Sequence, residues 1–354
     1  MERIHKKLQI ILLLVFAVPL FAETPIQNVS PATPTTPAKP DSRPSKEART
    51  RAETDLELKR LTASLDAAFR LQKKFEIPGL LEDLKKLAPD SAQNFYFQAL
   101  DAYTRGEKLK ALALIKKSIS KDPLLTPAYT IGGLIYADGG KDQSALPFFE
   151  RAVQQSPYDP IYLLNLALCK NRLGMKADAL SLLDQALRAR ANLAEAMYWK
   201  GVLLAENGQN ADAQKYARGA VDAGLKNVSA YRLWLQLAFE AADDVDVARA
   251  VSELSQDARE SARWRLAAEY SFRFGDFRKA VSLLDRAFQI DEGMPEDRRM
   301  YVRCLFAEGQ DPMPWIRSQR LSDAERQELR TLVDLLQNTP GIVQSRDPLV
   351  RPAK

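Results

Sequence analysis

Any chemistry in this chain has to be done almost without histidine. The single histidine is His5, so beyond that position Ser–His and Cys–His nucleophiles and histidine metal sites have no residue to draw on. Two cysteines, Cys169 and Cys304, suit apolar packing better than reactivity. Two acidic runs stand out: Asp243, Asp244 and Asp246, then Asp291, Glu292, Glu296 and Asp297. Neither has the Asp-x-Asp-x-Asp-Gly spacing of a calcium loop. Both suit helix starts, where carboxylates cap free N–H groups and meet the positive end of the helix dipole. The sequence holds no Gly-x-x-x-x-Gly-Lys-Ser/Thr phosphate loop and no Gly-x-Ser-x-Gly elbow. What remains is carboxylate, lysine and serine chemistry, and recognition by tyrosine and arginine, the types that most often dominate interfaces. No cofactor and no metal is expected.

The elements that position these residues are announced by a period. Gly106, Gly140, Gly174 and Gly208 are spaced 34 residues apart. With only 15 glycines in 354 residues, that spacing marks a repeated unit. Five residues after each glycine comes Ala111, Ala145, Ala179 and Ala213; twelve after comes Ser118, Ala152, Ala186 and Ala220; seven before comes Ala99, Gly133, Ala167 and Gly201. Small residues on one period let helices approach to about 8–10 Å between axes. The glycines suit a left-handed residue that ends one helix and opens a tight turn. Pro89, Pro123 and Pro157 keep the interval and close each unit. The period slips by one residue before Gly275, where Ala268, Ala280 and Ala287 hold the same offsets, and Gly309 follows. Ala242 sits where a turn glycine would fall, with Asp243 and Asp244 placed to cap the next helix. Apolar residues recur at three and four over 94–105 and 109–121, so each unit reads as two helices. No strand pattern appears.

This pattern resembles the tetratricopeptide repeat, a 34-residue helix–turn–helix unit. Residues 126–159 carry the resemblance best, through Tyr129, Gly133, Tyr136, Gly140, Ala145, Phe149, Ala152 and Pro157. Good copies span 92–125, 160–193, 194–227 and 261–294, and a weaker one spans 228–260; an earlier unit at 58–91 lacks its turn glycine. The expected fold is therefore all-α, a right-handed α-solenoid of about seven such units. By resemblance, the first helix of each unit lines a concave face. The positions that face inward there fall, in the first part of the chain, on Tyr96, Leu100, Tyr103, Leu134, Leu164, Asn171 and Arg172. Later units contribute Tyr198, Glu206, Arg232, Gln236, Phe239, Arg265, Glu269, Phe272 and Arg273. The early part of this face is apolar and aromatic; the later part is rich in arginine and glutamate. The lysine and asparagine with which some members of the family grip a terminal carboxylate are not recognisable at the matching places.

The ends differ from the repeats. Residues 1–22 read as a signal peptide: Arg3, Lys6 and Lys7, then an apolar stretch from Leu8 to Phe21 that is short for a membrane span. Residues 23–45 form a linker rich in Pro, Thr and Ser, expected to be disordered and extended. Helices including the degenerate unit are expected over 46–91 and the solenoid over 92–310. A capping segment follows over 311–337, with Ser322 and Glu325 as a capping box, and a frayed tail over 338–354. Each cysteine lies five residues before a turn glycine, four units apart, roughly 30–40 Å or more at about 10 Å per unit. That is beyond the reach of a disulfide.

The net charge of +5 falls to +3 when residues 1–22, with Arg3, Lys6, Lys7 and Glu2, are removed. The remaining charges are mixed in sign, so no nucleic-acid partner is expected. The expected function is a non-catalytic scaffold of the bacterial cell envelope. It would be exported to the periplasm or beyond, without an integral span after signal removal, and would bind a protein or peptide in the concave face. The oligomeric state stays open. Alternatives are a holding chaperone for exported subunits, an enzyme using acids such as Glu206, Glu240 and Glu269, and a eukaryotic secreted protein, suggested by Asn-x-Ser triplets at Asn28 and Asn227.

Overall fold

The computed structural model describes residues 46–256 and 260–339, with side chains from residue 53 onward. The expected signal peptide, the proline-rich linker and residues 340–354 of the tail lie outside the described residues. The described residues form seventeen helices and no strand. The chain divides into two compact units, 1–191 and 192–354.

In the first unit, α1 (Lys46–Arg70) pairs with α2 (Ile77–Leu87), α3 (Ala92–Thr104) with α4 (Lys108–Lys121), α5 (Thr126–Asp138) with α6 (Asp142–Gln155), and α7 (Pro160–Arg172) with α8 (Lys176–Ala189). In the second, α9 (Ala194–Glu206) pairs with α10 (Asn210–Asp222), α11 (Val228–Glu240) with α12 (Asp244–Gln256), and α13 (Ser261–Arg273) with α14 (Phe277–Phe288). α15 (Pro295–Ala307) opens a further hairpin. Its second helix is replaced by the short α16 (Met313–Ser318), which starts at Pro312 and Pro314, and by α17 (Asp323–Asn338). The fold is an all-α solenoid of helical hairpins.

The periodic small residues are what permits this packing. Ala99, Ala111, Ala145, Ala167, Ala179, Ala186, Ala213, Ala220, Ala268, Ala280 and Ala287 are all buried. At Gly133 a β-carbon would come within 2.6 Å of the Phe149 ring, so the ring lies directly on the α5 backbone. Ser118 spends its hydroxyl on the Ala92 carbonyl at 2.8 Å. These contacts bury Leu65, Phe69, Phe97, Ile115, Ile131 and Phe149 in one cluster of the first unit. Each such side chain contributes about 1.5–3 kcal/mol.

The turns are one device used repeatedly. At Gly106 (φ +80°) the glycine N–H donates to Tyr103 and the next N–H, of Glu107, reaches back to Ala102. This double bond pattern is the Schellman closure. Two units form it without glycine. Gln72, 34 residues before Gly106, has φ 52°, and Ala242, 34 after Gly208, has φ 59°. Their hydrogen bonds match: Gln72 to Phe69 with Lys73 to Ala68, and Ala242 to Phe239 with Asp243 to Ala238. The unit that lacks its turn glycine is thus a complete hairpin.

The second unit is held by more polar ties. Asp246 is buried and accepts from Trp234 Nε1 at 3.0 Å, Gln214 Nε2 at 3.1 Å and Arg218 Nη1 at 3.2 Å. It joins α10, α11 and α12. Burial alone would raise its carboxyl; the three donors outweigh burial and hold it below the usual range. Asp243 caps α12 by accepting from the Asp246 N–H at 3.0 Å. Asn227 caps α11, its side-chain oxygen accepting from the Ala230 N–H at 2.8 Å. That role explains this asparagine without glycosylation. α17 begins at the expected capping box: the Glu325 N–H donates to Ser322 Oγ, and the Ser322 N–H to Glu325 Oε2. It covers α15 and α16 with Leu329, Val333 and Leu336 packed on Val302 and Ile316, while Leu335 stays exposed. Arg298 Nη1 adds a 2.6 Å bond to Glu325.

Candidate functional site

The inner-face residues expected from the sequence fall into two environments. In the first unit, Tyr96, Leu100 and Tyr103 on α3, Leu134 on α5 and Leu164 on α7 are 0–6% exposed. All but Leu164 belong to the core cluster containing Phe69 and Phe97. Burial raises the Tyr96 phenol far above its ordinary value, and Tyr162, Asp66 and Arg70 lie close enough to act on it. Tyr103 is raised by burial and by Asp138. These side chains fill space between helices. Asn171 is half-buried, and Arg172 binds Asp142 at 2.6 Å on the surface.

The second unit brings some of its expected residues together around an opening and leaves others apart from it. On α9, Tyr198 is half-buried against Trp199 and Glu206 is exposed. Gln236 and Glu240 on α11 are exposed and bonded to one another at 3.0 Å. Beyond them, α11, α13 and α15 wall a pocket of about 510 Å³. α11 contributes Val228 and Arg232; α13 contributes Ala262, Arg265, Leu266, Glu269, Phe272 and Arg273; α15 and its preceding residue contribute Met294, Glu296, Asp297, Arg299, Met300 and Arg303. Five of the residues expected from the sequence are among them: Arg232, Arg265, Glu269, Phe272 and Arg273. Phe239 stands beside the cluster, with the Arg273 guanidinium 5.8 Å from its ring and 4.8 Å from that of Tyr270. Burial pushes the Tyr270 phenol up to about 12.

The electrostatics of the pocket are those of a charge ladder. Glu269 holds two arginines at once: Arg273 Nη2 donates to it at 2.7 Å and Arg232 Nη1 at 3.2 Å. Arg265 pairs with Asp297 at 3.0 Å and with Asp291. Arg299 donates to Glu296 at 2.7 Å and to Glu328 of α17 at 2.6 Å. The bond to Glu328 is the main reason Arg299 is held protonated more firmly than usual. Arg232, Arg265 and Arg299 occupy one position, ten residues before the turn, in three successive hairpins. Like charges lining one pocket repel unless carboxylates offset them; each of the three has its own, Glu269 for Arg232, Asp297 for Arg265 and Glu296 for Arg299.

Sequence reading missed Arg299 and Arg303. Their signal was present: they lie ten and six residues before Gly309, as Arg265 and Glu269 do before Gly275. Pro312 and Pro314 break the second helix of that unit, but its first helix keeps the register and completes the wall.

The remaining chemistry-bearing groups stand apart. Both cysteines are free and buried; burial pushes the Cys169 thiol up to about 11 and the Cys304 thiol to about 12. Neither is a thiolate at neutral pH. Among the described residues no group of three His, Cys, Asp or Glu converges as a metal site, and no helix is long and apolar enough to cross a membrane.

The sequence matches no protein-family model and no curated protein. Its likenesses are to solved structures. PilF of Pseudomonas aeruginosa is 17% identical, with a TM-score of 0.53 over 61% of this chain and 99% of that one. Cut9, in its complex with Hcn1 from the APC/C, is 14% identical, with a TM-score of 0.55 over 69% of this chain and 48% of that one. A tetratricopeptide repeat protein of Parabacteroides merdae is 19% identical, with a TM-score of 0.47 over 69% of this chain and 98% of that one.

Proposed function

We propose that this chain, whose fold is that of tetratricopeptide-repeat proteins, is a non-catalytic scaffold that binds a protein or peptide on the inner face of its second unit. The observation that carries the reading is the pocket of about 510 Å³ spanning three successive hairpins, lined by arginines and by Phe272, Met294 and Met300. Arginine and large apolar side chains in one concave site are the usual makings of a peptide interface. The absence of histidine after His5 and the raised thiols of Cys169 and Cys304 support a role without catalysis.

The place of action is the bacterial cell envelope, a reading supported by the basic, then apolar composition of residues 1–22. The proline-rich stretch after it would hold the repeats away from whatever secures the N-terminus. The holding-chaperone alternative is weakened by the first unit: its apolar inner-face residues pack on one another and offer little surface to an unfolded client.

The test is photo-crosslinking in intact cells from a reactive residue placed at Met300, with a second at exposed Tyr158 of the first unit as reference. A discrete polypeptide captured from position 300 and not from 158 is the expected result. Capture from 158 alone would move the binding site to the first unit.

A further inference from the structure

We propose that the pocket of the second unit takes an acidic peptide segment, one carboxylate of which replaces Glu269 on Arg232 while an adjacent apolar side chain rests against Met294 and Met300. This rests on the reading of the site as a peptide groove and adds the chemistry of its occupant.

Three observations lead there. First, Arg232, Arg265 and Arg299 form a ladder on one repeat position, and Arg273 and Arg303 stand beside it. A guanidinium offers five N–H donors in a planar fork suited to carboxylates. Second, the ladder is already satisfied by carboxylates of the chain itself, so the site displays the geometry its ligand would copy. Glu269 is shared between Arg273 at 2.7 Å and Arg232 at 3.2 Å. The Arg232 bond is the longer of the two, and the Arg232 side chain is 50% exposed against 16% for Arg273. The outer arginine is therefore the one an incoming carboxylate can claim, while Arg273 keeps Glu269. Third, the wall between the charges is apolar, through Phe272, Met294 and Met300. A peptide alternating acids with apolar residues matches both features.

A nucleic acid fits less well. Glu269, Glu296 and Asp297 also line the pocket; a backbone charged at every phosphate would meet all three, whereas a peptide that alternates acids with apolar residues can set its apolar side chains against them. Basic peptides would find the arginines in their way.

The experiment uses the full mature chain and two fluorescein-labelled decapeptides, read by anisotropy. One carries three acids interleaved with Leu and Phe; the other has lysine in place of each acid. The acidic peptide should bind and the basic one should not. Arg232→Ala should weaken the acidic peptide about tenfold or more, as expected for an arginine anchor. Glu269→Gln should act in the opposite direction. With the internal competitor neutralised but its shape kept, the acidic peptide should bind several-fold tighter. That opposite sign separates displacement from damage to the fold, since a misfolded variant would lose binding. Equal binding of the two peptides, binding of the basic peptide alone, no binding of either up to about 1 mM, or weaker binding on Glu269→Gln would each overturn the proposal. So would a polyuridine RNA that binds and is not displaced by the acidic peptide. The placing of the binding site in the second unit fails separately, by capture from position 158 and not from 300 in the crosslinking experiment.

Discussion

Ten residues before the turn, successive hairpins of the first unit carry Tyr96, Thr130 and Leu164, and those of the second carry Tyr198, Arg232, Arg265 and Arg299. The backbone register is the same and the outcome is opposite. Tyrosine and leucine gain from leaving water, so the first unit's inner-face residues close onto one another until they are nearly unexposed. Arginines cannot be driven into a dry core without a cost that their partners must offset. They stay partly exposed or in ion pairs, with Glu269, Asp297 and Glu296, and line a pocket between α11, α13 and α15. One repeat architecture thus yields closed packing in one unit and an open pocket in the other by exchanging a few side chains at fixed offsets.

The largest expected effect tests that division at a single position. Leu164, fully buried in the first unit, should cost about 2–5 kcal/mol of stability when changed to alanine. Arg232→Ala, ten residues before its own turn, should cost no more than about 1 kcal/mol, because its side chain is half exposed and ion-paired at the surface. Urea unfolding followed by circular dichroism checks both. All four tryptophans, Trp199, Trp234, Trp264 and Trp315, belong to the second unit, so their fluorescence follows the unfolding of that unit beside the circular dichroism of the whole chain. Similar costs at the two positions would erase the distinction between the units.

A smaller effect concerns one carboxylate in each unit, Asp246 in the second and Asp66 in the first. Asp246→Ala strands the donors of Trp234, Gln214 and Arg218 and should cost the second unit about 2–4 kcal/mol. The pH dependence should differ in sign between units. Asp246 is held below its ordinary value, so its contribution is present above about 4 and is lost as pH falls through its lower folded value. Asp66 in the first unit is raised by burial, against the opposing pull of Arg70. Its contribution is full below about 4 and is lost as pH rises through the raised value. Melting curves at pH 3 and pH 6 should show Asp246→Asn flattening a stability that rises with pH. Asp66→Asn should remove one that declines. Slopes of one sign for both would contradict the assignment.

How much of this was legible in the sequence follows from what a repeat can encode. Hairpin positions, the small-residue seams and the turns are set by residues close in sequence, and their offsets read directly from Gly106 onward. The offsets also picked out Arg232, Arg265, Glu269, Phe272 and Arg273, which line one pocket. Whether a given register position is open or closed depends on what its neighbours in adjacent hairpins do, and no single repeat carries that information. Tyr96 looks like a binding residue in isolation; beside Phe97, Phe69 and Tyr162 it becomes core. Arg299 lies within the expected solenoid, but the inner-face offsets were followed only as far as the turn at Gly275 and not applied to the helix before Gly309.

The smallest effect sharpens the comparison by predicting where the two units agree. Each contains one turn with a side chain where glycine belongs: Gln72 at φ 52° in the first and Ala242 at φ 59° in the second. A β-carbon in the left-handed region is strained by about 1–2 kcal/mol. Glycine relieves that but loses up to about 1 kcal/mol through the freedom of the unfolded chain. The net gain from Gln72→Gly or Ala242→Gly should be about 0.5–1 kcal/mol. It should be nearly equal in the two units, because the turn hydrogen bonds are the same at both sites. Circular dichroism should register both gains. A gain in one and a loss in the other would mean that the two turns, alike in backbone geometry, are held by different forces. The division between the units would then extend from their side chains to their backbones.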